Sequence, residues 1–212
     1  ASLDGAPYGG GFLLVEGPIL EGSTMVAADN LRLGVVSAGR MGTSLGFVDV
    51  NDDGKDEDEL AVGTPGADGL EEDAGRVDLF DLTLGLDADP VVTLLGEGEG
   101  DMFGRSLASG DVDGDGLQAL LVGADGARSM GRRTGAVYIF RSAVSASSGA
   151  DADAVITGNG GGSSFGSSIA LGQLDDDDGL ELVVGSKNGG SSLGGGGLVA
   201  VFRQVPTVDL DV

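Results

Sequence analysis

Three aspartates alternate with Val112 and Gly114 in the segment Asp111-Val112-Asp113-Gly114-Asp115-Gly116. Alternate carboxylates on a tightly turned loop converge on one point, and the glycines allow backbone angles that a side chain would forbid. Carboxylates held that close repel one another unless a cation lies among them. Hard oxygen donors in this number suit Ca²⁺ better than Zn²⁺ or copper. The expected ligands are the carboxylates of Asp111, Asp113 and Asp115 and the carbonyl of Leu117. A helix-flanked calcium hand would need a bidentate Glu at the twelfth loop position, followed by a helix. The twelfth residue here is Val122, inside an apolar run of strand character. The loop is therefore of the β type, closed by an acid at the ninth position, where this copy has Ala119. One expected ligand is missing, which predicts a weakened site.

Two further loops follow the same plan with their own departures. In the first, Asp49, Asn51 and Asp53 hold the alternating positions, Gly54 follows, and Lys55 offers only its carbonyl. Two extra residues before Leu60 leave the closing acid open between Glu57 and Glu59. In the third, Gln173 replaces the first acid, while Asp175, Asp177 and Glu181 keep the third, fifth and ninth positions. Gly179 supplies the carbonyl there, and Asp178 stands where glycine is expected, so this loop is open to a shifted register. An acid run such as Asp175 to Asp178 is also what a merely solvated face looks like.

The loops recur because the chain recurs. Gly42, Gly104 and Gly166 are each 62 residues apart, and each opens the same phrase seven residues before its acidic loop. The second half repeats as well: a glycine opens a short apolar segment ending in phenylalanine at Gly75 to Phe80, Gly135 to Phe140 and Gly197 to Phe202. At the N-terminus, Gly5-Ala6-Pro7 and Gly11 to Glu16 match the late part of such a unit without its opening phrase. Self-similarity at a fixed long period means a stack or ring of equivalent supersecondary units.

Within each unit, brief runs of Val, Leu, Ile and Phe alternate with Gly, Asp and Ser clusters, and no stretch sustains a helical apolar period. The middle unit predicts strands near Ser106 to Ser109, Ala119 to Val122, Ala136 to Arg141 and Ala154 to Thr157. Four short antiparallel strands per repeat make the blade of a β-propeller, in which sheet packs radially on sheet. With 42 Gly and only 4% aromatic residues, much of the chain must turn and its core must be built from small aliphatic side chains. A 41% hydrophobic content argues against disorder despite the charge.

Composition also excludes whole classes of function. A formal charge of −24, from 35 acids against 11 bases, opposes nucleic acid or an anionic membrane as partner. The bases, Arg132-Arg133 included, are too scattered to form a patch. There is no His and no Cys, and the only lysines are Lys55 and Lys187, so the common triads, thiol chemistry and Schiff bases lack their parts. Carboxylate chemistry on a polysaccharide is the one enzymatic reading that composition leaves open. No apolar run approaches the ~20 residues of a membrane-spanning helix. The first ten residues have no signal-peptide character, so any export signal has been removed or lies outside this chain.

Phe-Gly-x-Ser, the Asp-x-Asp-Gly-Asp-Gly loop, the Leu-Val-Gly strand and Gly-Ala-Val-Tyr-Ile-Phe together resemble the FG-GAP repeats of integrin α-type propellers and their bacterial relatives. The chain departs from that pattern at Met41, at Thr64-Pro65 and at Ala124-Asp125, where Phe and Ala-Pro are usual. The resemblance implies an all-β propeller, with about three and a half blades in this chain: a partial blade at 1–38 and blades at 39–100, 101–162 and 163–212. It further implies Ca²⁺ in the loops, a non-enzymatic role in adhesion or protein and glycan recognition, and an extracellular or cell-surface setting. An open arc exposes apolar sheet faces at its ends, which predicts further copies of itself as partners, or else a fragment of a larger ring.

Overall fold

The computed structural model describes residues 10–13, 31–33, 39–49, 59–85, 88–141, 145–175, 179–190, 196–205 and 210–211. These residues form strands, turns and short 3₁₀ segments, with no α-helix among them. Strands β1 (Gly11–Leu13) and β2 (Leu31–Leu33) pair with each other. Strands β3 (Ser44–Val48), β4 (Glu59–Thr64), β5 (Arg76–Phe80) and β6 (Val92–Leu95) form an antiparallel sheet in chain order. The middle sheet contains β7 (Phe103–Gly110), β8 (Ala119–Ala124), β11 (Ala136–Phe140) and β12 (Ala154–Thr157), and between β8 and β11 the chain forms a separate small hairpin of β9 (Arg128–Ser129) and β10 (Arg132–Arg133). A third sheet orders β13 (Phe165–Gly172), β14 (Glu181–Gly190) and β15 (Gly196–Phe202). Finally β16 (Leu210–Asp211) returns to pair in parallel with β12 on the middle sheet's outer edge.

The four strands expected in the middle unit are therefore present, and the first begins earlier, at Phe103. The early start comes from a bulge between Phe103 and Ser106, repeated between Phe165 and Ser168, which lets the Phe-Gly segment leave the regular ladder. The β9–β10 hairpin is an addition that apolar periodicity could not reveal, since its four residues are polar.

Side-chain alternation builds the radial stack. Successive strand residues point to opposite faces, so Leu120 and Val122 of β8 join Ala61, Val77, Leu79 and Leu94 of the first sheet in one core. Leu121, with Val137 and Ile139 of β11, joins Leu182 and Val184 of the third sheet in a second. Every residue of β4 and of β8 is buried, as a strand sandwiched between neighbouring sheets must be. A one-residue slip of either strand would exchange its two faces, so both cores fix the register.

Each junction between sheets repeats the same lock. Gly75 bridges Phe103, Gly135 bridges Phe165, and Gly10 bridges Met41. The Ser44 hydroxyl donates to the Gly104 carbonyl at 2.7 Å, and the Ser106 hydroxyl donates to the Gly166 carbonyl at 2.8 Å. Gly123 must be glycine for this contact, because a Cβ there would stand 2.2 Å from Ser106 Oγ and 2.3 Å from the Gly166 oxygen. The repeated phrase of the sequence is thus a blade-to-blade fastener, and its serine is as much part of it as its phenylalanine.

Phe103 anchors the first junction. It is 1% exposed and meets Tyr138 and Phe140 edge to face, with ring centroids 5.3 and 6.3 Å apart. Phe103→Ala is expected to cost about 3–5 kcal/mol in chemical denaturation. Leu198→Ala, on an exposed face, should stay within about 0.5 kcal/mol. Equal losses from the two would contradict this account of the core.

Large apolar side chains remain exposed on the strands flanking the stack: Leu45 and Phe47 on β3, and Leu198, Val199 and Val201 on β15.

Candidate metal centre

The middle acidic loop links β7 to β8, and its conformation follows from one side chain. Asp111 stands where β7 ends, and its carboxylate accepts backbone N–H bonds from Gly114 and Gly116, both at 2.8 Å, and a longer one from Asp113 at 3.4 Å. Those bonds wrap the loop around the carboxylate. Gly114 and Gly116 supply the left-handed turns, at φ 77° and 89°. Asp115 repeats the device on a smaller scale, accepting from the Leu117 N–H at 2.9 Å. Val112 is buried and pins the loop to the core between the middle and third sheets.

Wrapping brings the charges together. One carboxylate oxygen each from Asp111, Asp113 and Asp115 lies within 4.8 Å of the others. Desolvation would push the Asp111 carboxyl up, but the backbone N–H donors of Gly116, Gly114, Asp113 and Asp115 outweigh it and hold the group below its ordinary value. Arg141 sits beside the cluster, its Nε 3.1 Å from Asp113 Oδ2. Partly exposed, acid-only and oxygen-only, the cluster has the donor chemistry of a hard divalent cation. At the ninth position Ala119 is buried and offers no oxygen, as expected.

Strand register identifies the structural counterparts of Ala119 in the other loops. Ala119 pairs with Gly110, Glu181 with Gly172, and Glu59 with Val48. Of the two acids left open in the first loop, Glu59 holds the equivalent position and is buried; Glu57 lies outside the described residues. Asn51, Asp53 and Lys55 also lie outside them, so Asp49 alone represents the alternating positions there.

In the third loop, Glu181 is fully buried. One of its oxygens accepts from the Leu174 N–H, while Oε1 has no hydrogen-bond partner among the described residues. A buried carboxylate oxygen without a donor has the chemistry to ligate a hard cation. Asp175 lies 3.4 Å from Arg203, Gln173 and Gly179 flank the loop, and Asp177 lies outside the described residues. Leu180, just beyond Gly179, donates its N–H to the Asp111 carbonyl at 3.2 Å, tying the third loop to the middle one.

The structure also corrects the reading that the bases are too scattered to gather. Arg40, Arg105, Arg133 and Lys187, distant in sequence, line one cavity of about 290 Å³ with Asp125. Aligning the repeats carries the missed signal: Pro65, Asp125 and Lys187 occupy one repeat position, two residues after Gly63, Gly123 and Gly185. Arg40, Met102 and Ser164 occupy another, and all three adopt positive φ, at 59°, 59° and 56°.

No helix among the described residues is long and apolar enough to cross a membrane. No curated protein matches the chain. The model of the FG-GAP repeat matches residues 41–80 and 103–140, which cover β3 to β5 and β7 to β11. FG-GAP repeats form propeller modules associated with protein interaction or adhesion. With its sheets stacked face to face and joined at each Phe-Gly segment, the chain is an all-β protein of propeller-like blades, two segments of which match the FG-GAP repeat.

Proposed function

We propose that the chain is a calcium-stabilised propeller module for recognition of a protein or glycan outside the cell or at its surface, each of the segments 39–100, 101–162 and 163–212 contributing a blade. The convergence of Asp111, Asp113 and Asp115 within 4.8 Å carries this reading. Those carboxylates, with the Leu117 carbonyl, would hold the ion of the middle loop. Gln173, Asp175, Asp177, Glu181 and the Gly179 carbonyl would serve the third loop. Asp49, Asn51, Asp53, the Lys55 carbonyl and either Glu57 or Glu59 would serve the first. Bound calcium supplies positive charge that cancels carboxylate repulsion, and binding only the folded loops it stabilises the fold. Loops of this chemistry saturate at the calcium levels found outside cells, which supports an exported setting.

A non-enzymatic role accords with the family and with a site whose oxygens are committed to shaping a loop. The test is a thermal melt in millimolar calcium and in excess chelator. A higher melting temperature with calcium supports the reading; superimposable melts contradict it.

The exposed apolar residues Leu45, Phe47, Leu198, Val199 and Val201 favour a second reading, self-assembly of copies through sheets at the flanks of the stack. Light scattering in millimolar calcium is expected to show species larger than the monomer, which Val199→Lys and Val201→Lys together reduce to monomer. A strictly monomeric wild type would remove this reading and leave the calcium module untouched.

A further inference from the structure

The basic cavity lies at the opposite end of the inner strands from the acidic loops. Arg105 is near the start of β7 and Asp111 follows its end, six residues on, a separation of roughly 20 Å along an extended strand. Three successive sheets contribute. Arg40 precedes the first, Arg105 lies on β7 of the middle one with Arg133 on the β9–β10 hairpin between β8 and β11, and Lys187 lies on β14 of the third.

Electrostatics makes this gathering informative. With 11 bases among 35 acids, elsewhere Arg76 pairs with Asp78, Arg141 with Asp113 and Arg203 with Asp175, each base with its own carboxylate. In the cavity four bases share one lining acid, Asp125, whose side chain is 9% exposed. Its Oδ2 lies 2.6 Å from Lys187 Nζ and 3.7 Å from Arg105 Nε, across the junction of the middle and third sheets. Arg133 feels the field of the buried Asp101. Neither Arg133 nor Arg40 forms an ion pair among the described residues. Like charges collected in this way repel, and an anion among them relieves the repulsion.

We propose that this cavity is an anion site receiving one carboxylate or sulfate group carried on a compact saccharide. Guanidinium forks from different sheets match an oxyanion's planar or tetrahedral oxygens. Pro65 and Met102 add an apolar wall against which the C–H face of a sugar ring packs. The volume, about 290 Å³, is at the small end of small-molecule sites, which suits one or two rings rather than a flat peptide contact. Net charge of −24 repels extended polyanions and leaves short, singly charged ligands as the class admitted. Charge at Asp125 and Lys187, where another repeat has Pro65, makes the site particular to this arrangement of blades.

The inference deepens the recognition reading and rests on it, but not on calcium. The test is calorimetric titration of the whole chain, in millimolar calcium, with glucuronate, glucose 6-sulfate, N-acetylglutamate and glucose. Glucuronate and the sulfate ester are expected to bind, and glucose not. Arg40→Gln with Arg133→Gln should weaken them about tenfold or more. These bases form no ion pair among the described residues, so the variant is expected to melt as wild type does and to keep its response to calcium. Failure of both charged sugars to bind, or affinity unchanged in the variant, overturns the site. N-acetylglutamate binding as tightly as glucuronate overturns the saccharide assignment in favour of an acidic side chain. A retained calcium response alongside either failure leaves the loop reading standing.

Discussion

Asp111→Ala is expected to remove the middle loop's share of calcium stabilisation. At one to ten times Kd, which millimolar calcium reaches for a Kd on the order of 0.1–1 mM, one site is worth about 0.4–1.4 kcal/mol, or roughly 1–5 °C for a chain of this length. Asp111 has two duties, since its oxygens both face Asp113 and Asp115 and accept the N–H groups of Gly114 and Gly116. Asp111→Asn separates them in part: its single amide oxygen keeps one of the two turn acceptors, its NH2 cannot accept from the other N–H, and the charge is gone. Calorimetric melts should show both variants losing the calcium-dependent rise, while in chelator the alanine lowers the melt more than the asparagine does. Loss of neither would mean that the three carboxylates hold no ion.

Proton linkage gives the same side chain a second signature. Its carboxyl is lowered in the folded loop, so the stabilisation is fully present above the ordinary carboxylate value and is lost as pH falls through the lowered one. In chelator, the Gly114 and Gly116 amides should therefore stay protected from exchange at neutral pH and lose protection only in acid, below about pH 4. Loss of protection above that range would contradict the hydrogen-bonding pattern.

Gly135→Ala is expected to have a structural effect as large as that of Phe103→Ala. Gly135 sits at φ 75°, and a Cβ there would stand 2.2 Å from the carbonyl oxygen of Phe165 and 2.5 Å from its nitrogen. Strain from the left-handed backbone costs about 1 kcal/mol or more. The collision is with backbone at a sheet junction, where neither side yields without opening the lock. A total above about 3 kcal/mol follows, with a melting temperature lower by roughly 10 °C. Gly131→Ala is the control: its φ is 76°, yet its Cβ would meet nothing within 4 Å. Only the conformational cost applies there. Similar losses from the two substitutions would show that the junction tolerates separation.

Periodic features were legible in the sequence because they are imposed by repetition. The 62-residue spacing of Gly42, Gly104 and Gly166 announced equivalent sheets, and runs such as Ala119 to Val122 announced their buried strands. The convergence of Asp111, Asp113 and Asp115 followed from alternation plus glycine, which is local geometry. What stayed hidden depends on contacts between repeats. That Glu59 stands in register with Ala119 and Glu181 emerges only through its pairing with Val48 across the sheet. The return of β16 to β12 has no local signal in Leu210 and Asp211. The basic cavity was missed because its residues stand far apart in sequence, from Arg40 to Lys187, and meet only when three blades stack.

Calcium titration of the chelator-treated chain by isothermal calorimetry tests the central claim most directly. Saturable binding with Kd on the order of 0.1–1 mM, weakened in Asp111→Asn, is the result expected of a calcium-stabilised propeller module. Heats no larger than dilution up to millimolar calcium, in protein whose melt is also unchanged, would contradict it.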